Sequence, residues 1–197
     1  MNVLVVGKIP SPVTPIIQDS GGRVSEWAAP IHREYLKRNN IDFIVVYGYR
    51  HIIKKPVIEH MQGNIVNLHI SLLPWNRGAD PNLWSFLEDT PKGVTIHYVD
   101  EGLDTGDIIA QKELFFDDEY ETLATTYEKL SEAMVDLFRQ YWPKMMDGQV
   151  QGLQQPASGS FHRLKDKRRF EHLLLERGWN TPVKELVAKA LSPGLKL

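Results

Sequence analysis

The chain has 197 residues, 42% apolar and 24% charged, with a formal net charge of −2; this suits one substantial core with a small appendage and gives no global drive towards nucleic acid. It contains no cysteine, which excludes disulfides, thiolate metal sites and a cysteine nucleophile and fits a cytoplasmic protein. No apolar run approaches the ~20 residues needed to cross a bilayer, and the opening Met1–Gly7 stretch lacks the basic flank of a secretory leader, so no membrane partner is expected.

Val3 to Val6 is a continuous Val/Leu run, as a parallel strand covered on both faces requires, and Gly7 ends it. Lys8 to Val24 is rich in Pro, Ser and Gly and reads as a loop. Ser25 to Arg38 has helical spacing, with Trp27, Ile31, Tyr35 and Leu36 on one side and Ser25 as its cap. Asp42 to Tyr47 is a second buried strand, completing one β-α-β unit. Gly48 to Ile53 is a loop, and Pro56 to Met61 a short helix. Asn64 to His69 is a third strand.

Asn67 and His69 stand two residues apart in that strand and therefore share a face, with Leu68 on the other. Trp75 to Asn82 opens a helix, with Asp80 as N-cap and Pro81 at the first helical position. Free N–H groups at such a start favour an anion, and Arg77 adds a fixed positive charge; a pair between Arg77 and a surface carboxylate is the plainer alternative. Gly93 to Val99 alternates as a strand, with Thr95, His97 and Val99 on one face. Asp100 to Gly106 is an acidic turn, and Asp107 to Leu114 another strand. Tyr120 to Asp147 reads as a long helix, with Leu123, Tyr127, Leu130, Met134, Leu137, Phe138 and Tyr141 at spacings of three and four; Pro143 ends or kinks it. Ser160 to Arg169 is a basic run, read as a solvated face. Phe170 to Arg177 is a short helical stretch, and Thr181-Pro182 starts a last helix.

An amide, an imidazole and a carboxylate suffice for acyl transfer to an amine. The Asn67 amide donates to an oxyanion, His69 moves protons, and Asp104 orients and charges the imidazole. Taken alone, a histidine near a strand end is more often a satisfied core or surface residue than a catalytic one. His51, His60, His69 and His97 form no HxxxH or HxH pair, so no metal is expected.

Asn67-Leu68-His69-Ile70-Ser71-Leu72-Leu73-Pro74, the following Arg77-Gly78, then Gly93-Val94-Thr95-Ile96-His97 and Leu103-Asp104-Thr105-Gly106-Asp107 together resemble the signature of the folate-dependent formyltransferases. The resemblance runs from Asp42 to Gln111 and is nearest to the sugar N-formyltransferases. It implies an α/β fold: a trimmed Rossmann-like, mainly parallel sheet flanked by helices, with a short helical C-terminal extension. Residues 1–150 would be the catalytic domain, and residues 151–197 an extension and candidate homodimer contact. Asn67, His69 and Asp104 would be catalytic, with His97 near them. Tyr49, Arg50, His51, Ile52 and Ile53, largely through backbone groups, and the loop of Asp100, Glu101, Gly102 and Leu103 would hold the folate. Trp75, Asn76, Arg77, Gly78, Asp80 and Asn82 would meet the substrate.

The implied activity is formyl transfer from N10-formyltetrahydrofolate, as cosubstrate and without a metal, to the amine of a nucleotide-linked amino sugar. A UDP- or dTDP-4-amino-4,6-dideoxy sugar of bacterial surface glycans is the form expected. Only about 50 residues follow Gly148, too few for the trailing domain with which methionyl-tRNA formyltransferases hold tRNA, so a nucleic-acid substrate is not expected. Formyl transfer to another small amine, hydrolysis of formyl-folate, and a non-catalytic folate- or nucleotide-binding module are the alternatives.

Overall fold

The computed structural model describes residues 1–191. Strand β1 (Asn2–Gly7), helix α1 (Thr14–Asp19), strand β2 (Arg23–Trp27), helix α2 (Arg33–Arg38), strand β3 (Phe43–Tyr47), helix α3 (Lys55–Met61) and strand β4 (Ile65–His69) follow one another. Next come β5 (Arg77–Gly78), α4 (Pro81–Leu87), β6 (Lys92–Tyr98), β7 (Ile108–Leu114), the long helix α5 (Leu123–Met146) and β8 (Phe161–His162). The main sheet has the order β2-β1-β3-β4-β6-β7. β1 pairs in parallel with both β2 and β3, and β3 in parallel with β4. β5 and β8 form a separate parallel pair.

Val3, Leu4, Val5 and Val6 of β1 are buried on both faces, as are all five residues of β3. Each such apolar side chain contributes about 1.5–3 kcal/mol relative to an exposed one. β1 ends at Gly7 for a steric reason: φ is +125°, and a Cβ there would lie 2.0 Å from the Tyr47 carbonyl oxygen. The mainly parallel sheet flanked by helices is the architecture that the sequence implied.

The segment between β1 and β3 differs from the expectation. The stretch read as a loop contains α1, and the stretch read as the start of a helix is β2, an edge strand. Two prolines explain both differences. Pro15 occupies the first turn of α1, where its missing N–H costs nothing. Pro30 cannot sit inside a helix running from Ser25 to Arg38 without losing a backbone bond and crowding the preceding turn. Helix therefore begins only at Arg33, and Arg23–Trp27 pairs with β1 instead.

The described residues form two compact units: residues 1–69, 96–110 and 135–155, and residues 70–95, 111–134 and those from 156 on. In the first, Leu4, Val6, Ile44, Val46 and Ile65 pack with Leu36 of α2 and with Val57 and Met61 of α3. Trp142 sits edge-on to Phe43 and donates its indole N–H to Ser20 Oγ at 2.8 Å. In the second, Leu83, Phe86 and Leu87 of α4 pack with Leu123, Phe170, Val183 and Leu186.

Along α5 the buried stripe is Leu123, Thr126, Leu130, Ala133, Met134, Leu137, Phe138 and Trp142, while Tyr127 is exposed. Pro143 lies inside the last turns, and the helix continues to Met146. The expected C-terminal helices are short 3-10 turns over 166–174, 178–180, 183–185 and 189–191. Nor is the basic run wholly a solvated face. His162 stacks on Trp84 with ring centroids 3.7 Å apart, and Lys167 pairs with Asp80 at 3.0 Å.

Candidate active site

β4 carries Asn67 and His69 at its carboxyl end, facing the same way because the strand period is two. Among the groups around them is Asp104, whose carboxylate receives the Asn67 amide N–H at 2.9 Å and lies 3.6 Å from His69 Nδ1. His97 from β6 completes the cluster. Its Nε2 lies 3.1 Å from Asn67 Nδ2 and 3.6 Å from Asp104 Oδ1. The two imidazole rings are nearly perpendicular, with centroids 6.2 Å apart. His69 and His97 are both buried. Each ring thus has an Asp104 oxygen 3.6 Å away, and an imidazole so placed is a group that can take up and return a proton.

The loop that delivers Asp104 is built by local turn chemistry. Asp100 Oδ1 accepts from the Gly102 N–H at 3.1 Å and from Thr105 Oγ at 2.7 Å. Asp104 itself has φ of +55°, a left-handed conformation that Asp tolerates better than most residues. Gly106 is required by close approach, since a Cβ there would lie 1.9 Å from the Tyr98 carbonyl oxygen. Thus the Asp-Thr-Gly of the motif is a carboxylate, a turn lock and a residue without a side chain, in that order. Gln155 braces the loop from a distant part of the sequence, and nothing in the sequence singled it out.

The loop after β3 runs from Gly48 to Lys54. Tyr49 donates its hydroxyl to the Ala29 carbonyl at 2.8 Å and accepts the Ile31 N–H at 3.2 Å. Burial pushes its phenol above the usual value, against the opposing pull of the Ile31 bond. His51 packs edge-on to Tyr49. Ile53 packs on the core, whereas Ile52 is 69% exposed. Lys55, at the start of α3, bonds Glu101 at 2.6 Å and so links this loop to the 100–104 loop. That bond, and then the Glu101 charge, hold the Lys55 ammonium above its ordinary pKa.

Residues 75–82 belong to the second unit. Asn76 is fully buried and donates to Thr90 Oγ1 at 2.7 Å while accepting from Ser160 Oγ at 3.2 Å. Asn82 is buried too; it donates to the Leu123 carbonyl and accepts from Thr126 Oγ1. These two asparagines satisfy buried backbone and hydroxyl groups, which is a framework role. Asp80 occupies the N-cap position of α4 but makes no capping bond, because its φ is +52° and its carboxylate pairs with Lys167. A seven-residue helix that starts on an aspartate is a poor anion site. Arg77 is half-buried, and its guanidinium donates to the Pro156 carbonyl at 3.4 Å. Trp75 and Gly78 are half-buried beside it in sequence.

A cavity of about 370 Å³ lies at the amino ends of β3 and β4, lined by residues that include Phe43, Asn64 and Met145. It holds no imidazole or carboxylate and is separate from the cluster at the carboxyl end of β4.

The sequence profile of the formyl transferase family matches residues 7–140, a span that contains Asn67, His69, His97 and Asp104. The chain belongs to the formyl transferase family. This formyltransferase chain is 46% identical to the formyltransferase PseJ from Anoxybacillus kamchatkensis, with a TM-score of 0.91 over 96% of this chain and 100% of that one. That structure was solved with UDP-4,6-dideoxy-4-formamido-L-AltNAc and tetrahydrofolate. Among curated relatives, the methionyl-tRNA formyltransferase of Myxococcus xanthus is 34% identical over 146 residues, or 74% of this chain. The phosphoribosylglycinamide formyltransferase of Bacillus subtilis is 39% identical over 98 residues. The chain spans only 45% and 50% of the lengths of those two relatives.

Proposed function

We propose that this chain transfers a formyl group from N10-formyltetrahydrofolate to the amine of a UDP-linked 4-amino-4,6-dideoxy sugar. The observation that carries the reading is the likeness to PseJ over its whole length, with the Asn67–His69–Asp104 cluster at the carboxyl end of β4. That likeness also favours uridine over thymidine and C4 over other positions of the sugar.

The 48–54 and 100–104 loops fit a folate. They are tied together by Lys55 and Glu101. Each offers an exposed apolar side chain, Ile52 or Leu103, suited to the face of a flat heterocycle. Formyl-folate supplies the activated one-carbon unit. His69 accepts a proton from the amine as the new C–N bond forms and returns it to the departing folate nitrogen. Asp104 stabilises the imidazolium between those events. The formyl oxygen gains negative charge in the transition state, and the His69 imidazolium is the cationic donor beside it. Arg77 is the proposed contact for the sugar-nucleotide diphosphate, through the planar guanidinium. Residues 1–150 carry the chemistry in this reading, and residues 151–197 contribute a contact between two copies in the cytoplasm, which sedimentation of the purified chain would reveal as a dimer.

The test is to incubate the protein with formyl-folate and a panel of UDP- and dTDP-amino sugars, and to read product masses for a gain of about 28 Da, one CO, as acyl transfer requires. Formylation of the UDP-4-amino sugar is the expected result. Free formate without a formylated sugar would establish hydrolysis instead. Folate binding with neither product would establish a non-catalytic module.

A further inference from the structure

The hydrogen atoms around Asn67 can be assigned from the geometry. His97 Nδ1 lies 2.7 Å from the Tyr98 carbonyl oxygen. A carbonyl can only accept, so Nδ1 carries the proton. In the neutral ring Nε2 is then a bare acceptor, and it faces Asn67 Nδ2 at 3.1 Å. The other hydrogen of that amide goes to Asp104 Oδ1 at 2.9 Å. Turning the amide over would set its oxygen against the carboxylate and against Nε2, two acceptors at once, so the orientation is fixed. Both amide hydrogens are therefore engaged, and the Asn67 carbonyl oxygen, without a bond among the described residues on a half-buried side chain, is the part of the group open to a ligand.

We propose that His97 is a positioning residue: locked as the Nδ1–H tautomer by Tyr98, it holds the Asn67 amide so that Asn67 presents its carbonyl oxygen, which accepts a hydrogen from the attacking amine. The amine half rests on the formyl-transfer reading above; the tautomer half does not. This differs from a role for Asn67 as donor to the oxyanion, which would require the amide to leave His97 or Asp104. An accepted N–H orients the amine and directs its lone pair, while its second hydrogen remains for His69. The N–H bond held by Asn67 stays intact through the step, so no proton passes to or from Asn67.

Three measurements on the full chain test this. Nitrogen-edited NMR of isotope-labelled histidines at about pH 8, where a free imidazole is neutral, should show His97 protonated at Nδ1 and bare at Nε2. An Nε2–H tautomer or an imidazolium at His97 would overturn the proposal. His97→Leu should lower kcat by about 10- to 100-fold with the KM for formyl-folate within about twofold. His97→Gln, whose amide oxygen can replace the Nε2 acceptor, should recover most of that loss. Equal impairment in both variants would reduce His97 to packing and overturn its positioning role. Calorimetric binding of the UDP-linked 4-amino sugar against its 4-deoxy analogue should show a preference for the amine of roughly tenfold in the wild type, the worth of one good hydrogen bond, and none in Asn67→Ala. A preference that survives in Asn67→Ala would return Asn67 to the oxyanion. If no amino sugar is formylated at all, the amine half falls with the function, and the NMR spectrum still decides the His97 half.

Discussion

Gln155 holds Asp104 by its backbone: the side-chain amide donates to the Asp104 carbonyl at 2.9 Å and to the Gly106 carbonyl at 2.8 Å. One side chain thus clamps both ends of the turn that aims the Asp104 carboxylate. Gln155→Leu keeps the volume and removes both bonds. At ~0.5–1.5 kcal/mol net for each bond, the turn should loosen enough to lower kcat about tenfold. Steady-state kinetics beside a denaturant titration would check this. A loss of stability with unchanged kcat would mean that the turn holds Asp104 without Gln155.

His69→Ala and Asp104→Asn should each cut turnover by about 10²- to 10³-fold, the scale of losing one preorganised group in an acyl-transfer site. Asn is the informative replacement at 104, because it also tolerates the left-handed φ of +55° and so removes charge without straining the turn. Circular dichroism should stay unchanged. Wild-type turnover in either variant would take that residue out of the mechanism.

Much of this site was legible in the sequence, because strand period and motif order are local. Asn67 and His69 share a face by alternation alone, and the turn residues around Asp104 announce the loop. The framework roles of Asn76 and Asn82 were not legible: their partners lie at Thr90, Ser160, Leu123 and Thr126, and only tertiary pairing reveals them. Gln155 was invisible for the same reason, since it recognises carbonyl groups and no particular side chain. The misread stretch at Ser25–Arg38 is different in kind. Its apolar spacing does suit a helix, and Trp27 and Tyr35 do meet, with ring centroids 4.8 Å apart. Pro30 was the signal that should have outweighed the spacing.

Trp142 should dominate the stability of its part of the core. It is buried, stacks on Phe138, meets Phe43 edge-on and satisfies its N–H at Ser20. Trp142→Ala should cost about 3–5 kcal/mol, read from urea unfolding, while Ser20→Ala should cost ~1 kcal/mol by orphaning the indole donor. A cost below that of Ser20→Ala would show that the cavity collapses around the missing ring.

Stability at acid pH should depend on Glu121. Burial alone would raise its carboxyl pKa, but Lys129, the Thr125 hydroxyl and the Lys129 charge together hold it below its ordinary value of 4.5. The sign follows from linkage: a group whose pKa is lowered on folding adds stability above its unfolded value, and that contribution is lost as pH falls through the folded value. Glu121 also lies where Thr122 bridges Pro182, and its backbone carbonyl accepts the Val183 N–H at 3.0 Å. Glu121→Gln keeps an acceptor for Thr125 and removes the charge. The wild type should therefore be the more stable of the two at about pH 6, with the difference shrinking as pH falls below the ordinary carboxylate range. Half of the Lys129 side chain is exposed, so added salt should shrink the difference as well. Urea titrations across that range give the comparison directly. A gap between the two proteins that stays constant with pH would mean that the Glu121 charge contributes nothing to the fold.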